Sequence, residues 1–475
     1  MTTNESVSRR TNMVKPGDTV EALVQALLKG RSGDLEKLRA IWMWVTHHIG
    51  IECEEVSGYS KGAGYKLGAH FSGNGDHAWN GVRLEGRWHL LDSTWGAGNT
   101  SKNSSKFKFE YNEFYFLTHP ALFAGDHFPL DAKWQLLTPP ISLKQFENTV
   151  HLRSGFYNSG LLTTHPGNSL IQSDGKTTVT VQSSSPALFL PKLNGQHNCG
   201  GIMTLRPDGM NLDVYPESTG LHTLEIFAKA GDSAKDGDYT LVCEYQLRCR
   251  AVARETRPPT NLDNPVGPSW LTERKGLLEP SQRDPVVFAA DGRCSFGFRV
   301  AAGVHLTAKL SAAAFPVTDD EQNRHVFRSR RGDRVDHRAQ VPKAGLYVFK
   351  VYTKDKEEAV TYDYACNYLV SCTNPKVRWP VYPLRYAAWK DQYELVEPLA
   401  GVLPANRKVQ FKMRIPDVSQ VSVGGEDTHD LSLDADGYWT GFYSTGGCKD
   451  VNVMIQVSPG DRSRSFVLNY QVEIQ

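Results

Sequence analysis

The amino-acid sequence predicts a multidomain chain in which an α+β domain is followed by three β-sandwiches. Two observations support this fold class. Apolar residues keep helical spacing up to about residue 49 and alternate as in strands beyond it. After Pro139-Pro140, units of about 100 residues with short alternating segments and turn signals repeat along the chain.

The composition narrows the classes of function. The 475 residues include 53 Lys and Arg against 52 Asp and Glu, so the formal net charge is +1. This balance is not typical of proteins that bind nucleic acid or membrane surfaces, and we expect neither partner. No run of about 18 apolar residues predicts a transmembrane helix, and the polar start lacks the apolar core of a signal peptide. We therefore expect a cytoplasmic chain whose eight cysteines are thiols rather than a disulfide framework.

The first part of the chain divides into a leader, two helices and a strand-rich segment. Residues 1–17 are polar and are predicted to be disordered. Residues 18–30 are predicted to form an amphipathic helix that Gly30 ends, and residues 32–49, which have the same helical spacing of apolar residues, to form a second one. The proline pair marks a domain edge, so the N-terminal domain is predicted to span 18–140.

The remainder of the chain consists of repeated units. Cys243-Glu-Tyr245 followed by Cys249 recurs as Cys366-Asn-Tyr368 followed by Cys372, and a weaker third copy ends at Asn469-Tyr470. The alternating pattern inside each unit is typical of an immunoglobulin-like β-sandwich. The three predicted sandwiches span 141–256, 268–375 and 380–475.

The paired cysteines of each repeat have a structural interpretation. Cys243 and Cys249 are six residues apart on one predicted strand, so they share a face but lie about 20 Å apart. At that separation they cannot form a disulfide with each other. We interpret them as thiols of the sandwich core rather than as redox or metal-binding groups.

The segment from Asp76 to Gly96 concentrates the residues that carry chemistry. Its pattern predicts a hairpin with Glu85-Gly86 at the turn. A two-residue turn places His77 opposite Thr94, with Asp92 at the diagonal position on the same face. A carboxylate at that spacing can fix the tautomer of a histidine that acts as a base. Such a pair also occurs in purely structural roles, so the surrounding residues decide between the two interpretations.

Those surrounding residues closely resemble the His and Asp motifs of the transglutaminase-like, papain-related superfamily, and within it the kyphoscoliosis peptidase family. The repeated sandwiches are also similar to that family's C-terminal architecture, so the resemblance covers nearly the whole chain. Five further segments resemble the family's sequence, namely 38–45, 56–65, 111–118, 127–129 and 133–137.

The resemblance implies a transglutaminase-like fold for the N-terminal domain and a Cys-His-Asp triad that attacks an acyl carbonyl. His77 would be the base and Asp92 its orienting carboxylate. Trp79 and Trp95 would form the walls of the site, and Asn80 would line it. The resemblance also implies protein partners in the cytoskeleton, as in muscle. No sequence motif indicates a cofactor or a metal ion.

The nucleophile of this triad is missing from its expected place. The family has a Gly-x-Cys-x-Gly-Tyr motif at the start of a helix, whereas this chain passes from Ile49 directly to Gly50 and the strand-rich segment. Cys53 matches the strand that follows that helix, so we expect a structural cysteine and a poor candidate nucleophile. Cys199 has a neighbouring histidine but lies in the sandwich region. The N-terminal domain is therefore predicted to be incomplete.

Two functions remain open from the sequence. The first is a catalytically impaired family member that acts as a cytoskeleton-associated scaffold. The second is an active cysteine peptidase or acyl transferase that uses the triad on protein substrates. We favour the scaffold because the sequence supplies a base and a carboxylate but no thiol in the expected setting.

Overall fold

The structure is a computed structural model. It describes residues 50–62, 64–100, 107–196, 201–231, 238–253, 262, 265–312, 324–355, 361–377, 381–425, 427–460 and 463–473. The predicted leader and both predicted N-terminal helices lie outside these residues. The chain divides into two compact units, residues 1–199 with 216–253 and residues 200–215 with 254–475. None of the described helices is long and apolar enough to cross a membrane.

The N-terminal part of the first unit is built on a four-stranded antiparallel sheet in the order β3-β2-β1-β6. Val56, Trp79, Leu90, Tyr115 and Phe123 form its core. Its elements are β1 Glu52–Ser60, β2 His77–Leu84, β3 Arg87–Leu91, α1 Ser93–Ala97, β4 Gly98–Thr100, β5 Phe107–Phe109, a 3-10 turn Glu113–Tyr115, α2 Pro120–Phe123, β6 His127–Pro129 and a 3-10 turn Ala132–Gln135.

A glycine permits the close pairing of β1 with β6. A Cβ atom on Gly58 would lie 2.2 Å from the carbonyl oxygen of Phe128 and 2.4 Å from the ring of Trp79. Only a residue without a side chain fits between that strand and that ring. The described helices of this region have three to five residues, so the α+β transglutaminase-like fold stays a prediction.

The second part of the first unit contains a β-sandwich. One sheet has the order β11-β14-β15-β7, with β9 added parallel to β15, and β8 pairs with β10. Its elements are α3 Leu143–Asn148, β7 His151–Leu152, α4 Ser154–Asn158, β8 Leu161–His165, β9 Leu170–Ser173, β10 Thr177–Ser183, β11 Ala187–Leu193, β14 Gly220–Ala230 and β15 Thr240–Cys249. The intervening strands β12 Gly201–Arg206 and β13 Gly209–Val214 pair as a hairpin.

The second unit contains two further sandwiches. The sheets of the first have the orders β16-β18-β21-β20 and β17-β23-β22-β19, and those of the second have the orders β24-β33-β32-β28-β29 and β25-β27-β31-β30. The elements of the first are α5 Trp270–Arg274, β16 Leu277–Leu278, β17 Val286–Phe288, β18 Arg293–Val300, β19 His305–Ala312, β20 Val326–Arg331, β21 Arg334–Gln340, β22 Gly345–Lys354 and β23 Asp363–Cys372. Those of the second are β24 Leu384–Arg385, β25 Glu394–Glu397, β26 Val402–Pro404, β27 Lys408–Arg414, β28 Gln420–Gly424, β29 Thr428–Asp430, β30 Ser432–Leu433, β31 Trp439–Ser444, β32 Asp450–Gln456 and β33 Ser465–Glu473.

The backbone confirms the threefold repeat. In each sandwich a short early strand pairs parallel to the last strand, as β9 with β15, β17 with β23 and β26 with β33. The final hairpin of each sandwich has a register shift at the equivalent place, after Ile226, Val351 and Val453. This shared irregularity shows that the three copies have the same backbone arrangement and not only a similar amino-acid composition.

The side chains of the last strands repeat as well. Tyr245, Tyr368 and Tyr470 are all fully buried, and each hydroxyl donates to a backbone carbonyl oxygen near the start of its own sandwich. The predicted core thiols are confirmed, since Cys243 and Cys249 are buried and free.

Candidate active site

The hairpin that carries the candidate residues has the predicted register. Asn80 pairs with Leu91 and Leu84 pairs with Arg87, which leaves Glu85-Gly86 as a two-residue turn. Both turn residues have positive φ, at 49° and 80°. This is the turn geometry that matches the twist of two antiparallel strands.

Asp92 marks the point where the strand prediction fails. The pairing ends at Leu91, and Asp92 caps helix α1, its Oδ1 accepting hydrogen bonds from the backbone N–H groups of Thr94 at 2.8 Å and Trp95 at 3.0 Å. Thr94 therefore lies in a helix and not opposite His77, because the aspartate satisfies the first free N–H groups of that helix.

The predicted contact between His77 and Asp92 is present. Nε2 of His77 donates to Oδ2 of Asp92 at 2.6 Å. The carboxylate is 1% exposed and the imidazole 10%. Nδ1, the other ring nitrogen of His77, has no hydrogen-bond partner among the described residues. This is the arrangement in which a histidine can accept a proton from a nucleophile while a carboxylate holds its other nitrogen.

A second histidine, which sequence reasoning did not single out, shares the same carboxylate. Nε2 of His127 lies 3.1 Å from Oδ2 of Asp92, and its Nδ1 lies 2.6 Å from Oδ1 of Asp126. The hydroxyl of Tyr115 donates to the other oxygen of Asp126 at 3.0 Å. His77, Asp92, His127, Asp126 and Tyr115 thus form one continuous hydrogen-bonded chain.

The protonation states of these five hydrogen-bonded side chains follow from their contacts. Burial alone would raise the pKa of Asp92, but the hydrogen bonds from His127 and His77 hold it well below its usual value. Burial alone would lower the pKa of His127, but the charge and hydrogen bond of Asp126, together with Asp92, raise it to about 9. Burial and the charge of Asp126 raise the pKa of Tyr115, which stays a neutral donor.

The tryptophans lie around the histidines, and only one of them can form a wall of an open site. The ring of Trp95 stacks on His77, with 5.0 Å between centroids and 21° between planes. Trp79 packs edge-on against His127, with 4.8 Å between ring centroids. Its side chain is only 1% exposed, so it lies in the core and does not line an open site.

Asn80 is not brought to the site. It pairs across the sheet with Glu55, whereas His77 and Trp79 pair with Gly58 and Val56. Because successive strand residues point to opposite faces, the side chain of Asn80 lies on the other face from His77. It is buried there, with its amide nitrogen 3.9 Å from the sulfur of Cys53.

Cys53 is separated from His77 in both face and distance. It pairs with Val82, on the same face as Asn80. Gly58 is the partner of His77, and Cys53 lies five positions away from it along β1. Five residues of strand span about 17 Å. A sulfur in this place cannot transfer a proton to His77 while the sheet is intact.

The other described cysteines belong to their own sandwiches. Cys243 is fully buried, and burial raises its thiol pKa strongly. Burial likewise raises the pKa of Cys294 and Cys366 to about 12, which keeps both thiols protonated and unreactive. Cys199 lies outside the described residues.

Among the described residues, the side chains of His77, Asp92 and His127 come nearest to a metal-binding set. His77, Asp92 and His127 offer three atoms within 4.8 Å of one another. Both histidines, however, direct an N–H at the same carboxylate oxygen. A metal ion would need those nitrogens as lone-pair donors, so the geometry fits a hydrogen-bonded chain better than a metal centre.

Comparison with known proteins identifies close relatives. The chain is 43% identical to kyphoscoliosis peptidase of Homo sapiens over 499 residues, covering 96% of this chain and 75% of the relative. It is 42% identical to kyphoscoliosis peptidase of Mus musculus over 505 residues, covering 97% and 75%. Hillarin of Drosophila melanogaster is 27% identical over 371 residues, covering 69% of this chain and 44% of that protein.

A family model agrees with this comparison. The model described as a KY-like, immunoglobulin-like domain matches residues 143–260 and 274–383, which contain the first two sandwiches. These two sandwiches are therefore immunoglobulin-like, as the sequence predicts. Together with the identity of 43% across almost the whole chain, this shows that the chain belongs to the kyphoscoliosis peptidase family.

Proposed function

We propose that this chain is a non-catalytic member of its family that acts as a cytoskeleton-associated scaffold. One observation carries the proposal. The His77–Asp92 pair is fully assembled, but Cys53, the one cysteine in the first 198 residues, lies on the opposite face of the sheet. A base and its carboxylate without a thiol cannot form the thioester on which cysteine peptidases and transglutaminases depend.

The length of the alignment supports a missing segment. The match to the human relative runs over 499 positions, whereas 96% of 475 residues is about 456. The relative therefore has residues inside the matched region that have no counterpart in this chain. The sequence predicts one such segment at Gly50, where the family carries its nucleophile.

The sandwiches supply surfaces suited to a scaffold. Strand β19 is eight residues long and lies at the edge of its sheet, as does the shorter β30 of the next sandwich. An edge strand presents backbone N–H and C=O groups to which an extended segment of a partner can add. Such binding needs no catalytic residue, so it persists when the nucleophile is absent.

Co-sedimentation with a detergent-insoluble cytoskeletal fraction tests the scaffold. The full chain is expected to sediment with the fraction, and the His77→Ala variant is expected to sediment equally, because the imidazole takes no part in binding. A chain that stays in the supernatant would contradict the scaffold. A large loss of binding in His77→Ala would instead assign the binding to the former active site.

The second candidate is a cysteine peptidase or acyl transferase, and the open Nδ1 of His77 favours it. In that reaction Nδ1 would accept the proton of a thiol, the thiolate would attack an acyl carbonyl, and the imidazolium would return the proton to the leaving amine. Asp92 would hold Nε2 throughout. The reaction requires a thiol within hydrogen-bond distance of Nδ1, which Cys53 does not provide.

A further inference from the structure

His127 is a buried ionisable group that the triad chemistry does not use. Its side chain is completely buried, and both of its ring nitrogens face a carboxylate oxygen, Asp92 on one side and Asp126 on the other. An ionised carboxylate is only an acceptor, so both nitrogens donate when they lie between two ionised carboxylates, and an imidazole that donates twice is a cation. The hydrogen-bond geometry thus defines His127 as an imidazolium.

The surroundings of His127 stabilise that cation. Phe123 stacks on its ring with 4.1 Å between centroids, and Trp95 lies 4.6 Å away. Aromatic faces attract a cation, and the attraction increases where water is excluded. The pKa of His127 is raised to about 9 although burial lowers it, because the charges and hydrogen bonds of Asp126 and Asp92 favour the cation.

Both carboxylates are held in place by other groups. Asp92 receives two backbone N–H groups on Oδ1, and Asp126 receives the hydroxyl of Tyr115 on Oδ2. The backbone carbonyl of Asp126 also accepts from the N–H of Lys61 at 2.9 Å, which anchors this residue beside β1. The nearby Nζ of Lys61 donates instead to the carbonyl of Thr149, at 2.8 Å. The imidazolium of His127 therefore lies directly between Asp92 and Asp126.

Without that cation, Asp92 would lose the hydrogen bond that does most to lower its pKa, while its burial, which raises the pKa, would remain, and its protonated form would be favoured. A protonated Asp92 would donate to Nε2 of His77 instead of accepting from it. The proton of His77 would then move to Nδ1, the atom that would accept the proton of a nucleophile. Conversely, an ionised Asp92 keeps the proton on Nε2 and leaves Nδ1 as the acceptor.

We infer that His127 is a positioning residue, a buried imidazolium that keeps Asp92 ionised and so fixes the tautomer of His77 with Nδ1 open. The inference deepens the proposed function, on which it rests only in taking His77 and Asp92 as the retained half of the catalytic site. Its readout is the proton on each ring nitrogen, which can be measured whether or not the chain is an enzyme.

Nitrogen-15 NMR of the full chain labelled at histidine tests the inference at pH 7.5. In the wild type, His127 is expected to carry protons on both nitrogens, and His77 to show the tautomer with the proton on Nε2. In His127→Leu, the His77 signals are expected to change to the tautomer with the proton on Nδ1. In Asp126→Asn, which retains the size of the side chain, His127 is expected to lose one proton.

His89→Gln is the matched control. His89 pairs with Val82 and so lies on the opposite face of the same sheet from His77. This variant should leave the His77 and His127 signals unchanged.

A neutral His127 in the folded wild type would overturn the inference, as would an unchanged His77 tautomer in His127→Leu. If His127→Leu does not fold, Asp126→Asn decides, because a His127 that keeps both protons there would contradict the role of the flanking carboxylate. Labelling of the chain by an acyl probe would refute the proposed function without affecting these signals.

Discussion

Replacing Asp92 with alanine is expected to lower the free energy of unfolding of the N-terminal region by about 3–5 kcal/mol. The carboxylate is 1% exposed and accepts four hydrogen bonds, two from backbone N–H groups and two from His77 and His127. Its removal leaves the buried cation of His127 with one carboxylate instead of two. Hydrogen exchange of the amides in β1, β2 and β3 measures the loss, because it reports on this region separately from the sandwiches.

Asp131→Ala is the control for the helix cap. Asp131 likewise caps a helical turn, with its Oδ1 accepting from the N–H of Lys133 at 3.1 Å, but its side chain is 57% exposed. Losing an exposed cap typically costs about 1 kcal/mol. An Asp92→Ala variant that is no less stable than Asp131→Ala would show that the buried network contributes little, contrary to our account.

Phe327→Ala is expected to destabilise the third sandwich by about 3–5 kcal/mol. Phe327 lies on β20 of the second sandwich but is 1% exposed and belongs to the core of the third. Its ring lies 5.5 Å from that of Tyr382 and 5.7 Å from that of Trp389, and the guanidinium of Arg385 lies over it. Truncating Phe327, a residue of the second sandwich, would therefore leave a cavity in the core of the third.

Equilibrium unfolding in guanidinium chloride, followed by the fluorescence of the tryptophans, measures this effect. Phe442, on β31 of the third sandwich, provides the matched control because it is 52% exposed. Phe442→Ala should change stability by less than about 1 kcal/mol. Equal effects of the two substitutions would contradict the assignment of Phe327 to the core of the third sandwich.

The parts of the site that the sequence predicts correctly depend on local pairing. A two-residue turn fixes the register of β2 and β3, and that register brings His77 near Asp92. The same local rules also account for two residues that depart from the predicted arrangement, Asn80 and Asp92. Asn80 is three positions from His77, and an odd separation along a strand places it on the opposite face. Asp92 before Ser93 and Thr94 is also a helix N-cap signal, which explains why the strand stops there.

The second half of the network could not be predicted in this way. His127 reaches Asp92 because β6 pairs with β1, which brings together residues far apart in the chain. Nothing in the sequence near His127 specifies that pairing, and Tyr115 joins the network through a turn of no regular spacing. The repeat of the sandwiches was predictable because similar sequence motifs occur in three copies along the chain. The buried hydrogen-bonded network occurs only once, so no second copy indicates its pairing.

Intact-protein mass spectrometry after incubation with a thiol-directed acyl probe tests the central claim most directly. The wild type, His77→Ala and Cys53→Ala are compared at equal concentration and time. Our account predicts no adduct that depends on His77, because no described thiol lies within reach of its Nδ1. An adduct that forms on the wild type and disappears in His77→Ala would contradict it, and would establish the chain as an active acyl-transfer enzyme.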